Sequence, residues 1–89
     1  MARMNMNVVE QVELAAQSGA PDALFELGLL YSTGRDVESD LVTAHKWFNL
    51  SALQGNKAAL EYRKELADEM SQYDVAEAQR RAREWMTTH

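Results

Sequence analysis

Apolar residues recur at spacings of three and four along most of the chain. No four-residue run alternates β-branched and polar side chains, so the pattern predicts helices and no strands. Asn7, with Glu10 three residues on, has the form of a capping box and opens a helix expected to reach about Gln17, with Gly19 as its stop. Pro21 stands where proline suits the first turn of a second helix. That helix carries Ala23, Leu24, Leu27, Leu30 and Tyr31 and ends at Gly34. Ser39 or Asp40 caps a third helix through Trp47, Phe48 and Leu50 to Gln54, where Gly55 stops it. Asn56 begins a fourth, expected to end near Met70. Ser71 and Asp74 open a fifth, expected to run to about Met86. Five short antiparallel helices with brief connections describe an all-α array.

The chain repeats itself. Residues 14–24 (LAAQSGAPDAL) align with residues 50–60 (LSALQGNKAAL) at an offset of 36, which pairs Ala16 with Ala52, Gly19 with Gly55, Ala23 with Ala59 and Leu24 with Leu60. AHKWF at 44–48 is echoed by AREWM at 82–86. Small residues and glycines thus fall at equivalent points of one helix pair, the signature of a stacked array. This explains Gly28 in mid-helix. It costs up to about 1 kcal/mol of helix propensity but lets a neighbouring helix approach, while Leu27 and Tyr31 share a face and clasp what packs there.

The order Ala23, Leu27-Gly28, Tyr31, Gly34, Val37, Asp40, Ala44, Trp47, Ala52, Gly55 and Ala58 or Ala59 resembles one full SEL-one-like repeat, a branch of the tetratricopeptide-type α-solenoids. In that reading residues 1–89 form a single domain. Residues 8–20 are a half repeat, 21–56 a full repeat and 57–86 a degenerate closing repeat. In the closing repeat the Leu-Gly pair has become Arg63-Lys64 and the tyrosine position Ala67. Asp36 stands where the family prefers glycine. The resemblance implies a short α-solenoid that offers a concave surface to a partner protein, as in a small bacterial adaptor or regulator. The family's pattern residues are structural, and none is catalytic.

Charge sharpens this picture. The net charge is −5, and it is uneven: residues 1–40 hold two bases against seven acids, whereas residues 41–89 balance. An acidic first half argues against general binding to nucleic acid, which needs a net positive face. There is no cysteine, so disulfides, thiol catalysis and zinc-thiolate sites are excluded. No signal-peptide core and no run of transmembrane length is present, so a cytoplasmic location without membrane attachment is expected.

Candidate chemistry is sparse. His45 and His89 have no second metal-type ligand at suitable spacing, and His89, as the last residue, is expected to fray. Glu61, Glu65, Asp68 and Glu69 read as a solvated helix face rather than an acid–base pair. Phosphate loops and serine-nucleophile motifs are absent. The expectation is no enzyme, no cofactor and no metal. Trp47 and Trp85 each follow an alanine three residues earlier and read as core. Arg80, Arg81 and Arg83 share their helix with Glu77 and Glu84 and read as a solvated face near a helix C-terminus. The alternative function, a nucleic-acid or chromatin accessory protein, would rest on those three arginines.

If the first helix of each pair lines the concave side, its non-packing positions are Asp22, Glu26, Leu29 and Thr33. The offset supplies Ala58, Tyr62, Glu65 and Glu69 as counterparts. The expected partner site is therefore Asp22, Glu26, Leu29, Thr33, Tyr62, Glu65 and Glu69, an acidic groove with Leu29 and Tyr62 as apolar anchors. It suits a basic or amphipathic segment of a partner protein. Met1, Met4, Met6, Val8 and Val9 make an apolar start, expected either to fold over the first helix or to pair with another copy of the chain.

Overall fold

A computed structural model describes residues 7–89. Five helices follow in order: α1 (Val8–Ala16), α2 (Pro21–Thr33), α3 (Leu41–Leu53), α4 (Lys57–Ala67) and α5 (Gln72–Thr88). The described residues contain no strand. The expected pairing or folding-back of the N-terminal methionines lies outside the described residues; of that segment, Val8 is exposed and Val9 is buried on α1.

The helix starts are local chemistry. The Asn7 side chain accepts from the Glu10 amide while Glu10 reaches back to the Asn7 amide, a complete capping box. Asp40, Asn56 and Ser71 accept from the amides of Thr43, Ala59 and Asp74, and each satisfies a donor that the first helical turn would otherwise leave open. At the end of α2, Gly34 takes φ of 73°, and the amides of Gly34 and Arg35 both donate to the Leu30 carbonyl, a six-to-one closure that reverses the chain. In the loop that follows, Asp36 is held at φ of 65°, the left-handed region that glycine occupies most easily.

Two boundaries differ from expectation. Helix α4 stops at Ala67 rather than near Met70. The amides of Glu69 and Met70 bond three residues back, to the carbonyls of Leu66 and Ala67, so the last turn tightens before Ser71 starts the next helix. Helix α5 runs past Met86 to Thr88, and the hydroxyls of Thr87 and Thr88 donate to the carbonyls of Glu84 and Trp85. The His89 ring, just past the end of α5, stacks on Trp85, with centroids 4.1 Å apart.

Helix α3 is the hub. Helices α2, α4 and α5 all pack on it, and α1 packs on α2. One core cluster joins Val9, Val12 and Ala16 of α1 to Leu24, Leu27 and Leu30 of α2, then to Trp47 and Leu50 of α3 and Ala82 of α5. A second joins Ala44 and Phe48 of α3 to Ala59 and Leu66 of α4, with Phe25 and Leu29 packed against it. Gly28 is what lets α2 and α3 approach, because the Phe48 ring occupies the space a side chain there would take. The Ser51 hydroxyl, fully buried, donates to the Pro21 carbonyl at 2.7 Å and fixes the start of α2 to the end of α3.

Helices α4 and α5 do not pair along their lengths as α2 and α3 do. The sequence offers a reason: where α2 presents Leu27 and Gly28, α4 presents Arg63 and Lys64, and Arg63 turns to donate to the Asn49 side-chain oxygen at 2.6 Å. A cation and a long stem cannot form the close apolar seam that leucine and glycine form. Helix α5 instead buries Ala78 and Ala82 on its inner face and sets Trp85 edge-on to Trp47, with centroids 6.1 Å apart and an interplanar angle of 82°.

Candidate functional site

The seven residues expected to bind a partner fall into two neighbouring depressions rather than one trough. The first, of about 390 Å³, lies along α2 and is lined by Asp22, Glu26, Leu29 and Thr33, together with Phe25, Leu30 and Arg35. The second, of about 220 Å³, is lined by Tyr62, Glu65 and Glu69 of the α4 region, together with Ser32, Leu41, Phe48 and Leu66.

Aromatic rings join the two. Phe25 meets Tyr62 edge-on, with centroids 5.2 Å apart, and tilts against Phe48 at 5.7 Å; Phe48 and Tyr62 lie 5.5 Å apart. Phe48 is buried, Phe25 half-buried, and Tyr62 is 43% exposed, so the triad runs from the core to the surface. Phe25, which the sequence reading passed over, was findable: it stands four residues before Leu29, the spacing of neighbours on one helix face.

The polar side chains have different duties. Asp22 Oδ1 accepts from the Asn56 side-chain Nδ2 at 3.2 Å, tying the α3–α4 turn to the start of α2. The Thr33 hydroxyl donates to the Leu29 carbonyl at 2.7 Å and is spent within its own helix. Glu26, Glu65 and Glu69 are exposed. Arg35 adds one cation to the end of the first depression, so the face as a whole is acidic with a single basic corner.

On α5 four charged groups are paired. Arg80 bridges Glu77 and Glu84 on α5, and Arg81 also binds Glu77, at 2.7 Å. Hydrogen bonds from Arg80 and Arg81 bring the Glu77 carboxyl down to about 2. Of the three arginines on which nucleic-acid binding would rest, Arg80 and Arg81 are thus held by carboxylates on their own helix, and Arg83 is exposed without an ion pair among the described residues. His45 is 2% exposed, and its Nδ1 has no partner among the described residues. Burial lowers its pKa, aided by the nearby Arg63 charge, so the ring is neutral near pH 7. Among the described residues no group of three or more His, Cys, Asp or Glu side chains could hold a metal ion, and no helix is long and apolar enough to cross a membrane.

Residues 21–56 match the family model of the Sel1 repeat, a helical repeat whose members mediate protein–protein contacts. No curated protein and no solved structure matches the chain.

Proposed function

We propose, from the premise that residues 21–56 are a Sel1 repeat, that this protein is a non-catalytic, cytoplasmic adaptor that holds a basic, amphipathic segment of a partner protein across the face shared by α2 and α4. The observation that carries this reading is the Phe25–Tyr62 contact. It sets a continuous aromatic ridge between two depressions whose free charges are mainly carboxylates. Apolar side chains of a bound segment would seat against Phe25, Leu29 and Tyr62, where most of the binding energy concentrates. Its lysines or arginines would face Glu26, Glu65 and Glu69, which set orientation and association rate more than affinity. Residues 8–20 and 57–86 are read as the flanking half repeat and closing repeat that cover the two ends of the full one.

Titration with a synthetic amphipathic peptide carrying leucine on one face and lysine on the other tests this. Wild type should bind it with resonance shifts at Phe25, Leu29 and Tyr62. The triple charge reversal Glu26→Lys, Glu65→Lys, Glu69→Lys should weaken binding at least tenfold. Equal binding by both proteins would move the site elsewhere.

A further inference from the structure

A second groove, of about 450 Å³, lies on the flank of α3 and α4. Ala52, Leu53 and Leu60 give it an apolar lining, and Lys57 and Arg63 stand at its edge. Leu53 is 58% exposed, and with Leu60 it gives the groove its larger apolar side chains.

The internal repeat says what kind of element is missing. Leu60 is the counterpart of Leu24 at the 36-residue offset. Leu24 is fully covered in the core that α1, α2 and α3 share, whereas Leu60 remains partly open. On α2 the covering comes from a paired helix. On α4 the corresponding helix, α5, packs against α3 instead. The open flank of α4 is thus shaped for a helix that the described chain does not place there.

Charge says which helix. In a chain of net charge −5, both ionisable residues lining this groove are cations. Arg63 is held in place by Asn49, at 2.6 Å, through one of its five N–H donors, and the rest of its fork stays available for a carboxylate. We infer that this groove docks an acidic amphipathic helix of a partner protein, with its apolar face on Leu53 and Leu60 and its carboxylates on Lys57 and Arg63. The site is separate from the α2–α4 face and does not depend on the function proposed for it.

The test uses the full chain, isotope-labelled, and two synthetic helical peptides of one design, with leucine on one face and either glutamate or lysine on the other. The glutamate peptide should shift Leu53, Leu60 and Arg63 resonances. Lys57→Glu with Arg63→Glu should weaken it at least tenfold and should bring the lysine peptide into this groove instead, a gain that an unfolded variant cannot mimic. The inference is overturned if the glutamate peptide leaves these resonances unmoved, or if both peptides occupy the wild-type groove equally. It is also overturned if sedimentation shows a self-association that Leu60→Asp abolishes, because the occupant is then a second copy. Failure of the lysine peptide at Phe25 and Leu29 would overturn the proposed function alone.

Discussion

Gly28 lies directly beneath the ring of Phe48: a Cβ at residue 28 would stand 2.9 Å from Phe48 Cγ and closer still to Cδ1 and Cε1. The ring, fully buried between α2 and α4, has little room to retreat. Gly28→Ala should therefore destabilise the fold by about 1–2 kcal/mol, overpacking outweighing the roughly 1 kcal/mol of helix propensity gained. Denaturant unfolding measures the loss. Phe48→Leu in the same chain should return part of it, so the two changes should be strongly non-additive.

Asp36 sits at φ of 65° at a position where glycine would carry no Cβ penalty. Replacing a non-glycine residue there relieves about 1 kcal/mol of strain, and the freer unfolded chain offsets part of that. Asp36→Gly should raise stability by about 0.5 kcal/mol, a rise in melting temperature of about 2–4 °C for a domain of this size. A lower melting temperature would mean that the aspartate side chain contributes more than its backbone costs.

The Ser51 hydroxyl and the Pro21 carbonyl form a buried bond across the α2–α3 pair. Ser51→Ala removes this inter-helix bond while the Pro21 carbonyl keeps its place in the α2 ladder, at a cost of about 0.5–1.5 kcal/mol. The effect belongs to stability, so binding of either peptide at saturating protein fold should not change.

His45 makes stability depend on pH. Its folded pKa is lowered by burial and by Arg63, so the unfolded chain binds a proton first, and stability is lost as pH falls below about 6.5. Glu77 adds a second loss at lower pH, from its ordinary 4.5 towards about 2, as its bonds to Arg80 and Arg81 are protonated away. His45→Gln should flatten the dependence of the unfolding midpoint between pH 7 and 5 and leave the more acidic limb unchanged. An unaltered slope would assign the dependence to other groups.

The elements were legible because their signals are local. Asn7, Asp40, Asn56 and Ser71 cap helices through their own next turn, and Gly34 reverses the chain through a bond to Leu30. None of these depends on a distant partner. The role of Gly28 was legible for a different reason, since a mid-helix glycine must be explained by a neighbour. What could not be read was which helix α5 would choose. That depends on a comparison between α4, with Arg63 and Lys64 in the seam, and α3, with Trp47 ready for Trp85. Nor did spacing show that Phe25 would sit between the two depressions, because that follows from the rotation of α2 against α4 through the Phe48 and Tyr62 rings. The stacking of His89 on Trp85 was not legible either, because it depends on α5 extending to Thr88.

Helix α4 is an outer helix, like α1 and α5, and touches α2 through side chains only. Its backbone packs closely on α3 alone, and it buries only Ala59 and Leu66, whereas α3 is gripped by three helices. Opening energies in a native protein follow such differences in grip. Amide exchange should thus be layered: α4 amides should exchange through a partial opening well below the global unfolding energy, while α2 and α3 exchange only when the whole chain comes apart. The helix that shares in both grooves is then one of the outer helices that open before the α2–α3 pair, and a ligand in either groove should slow its exchange.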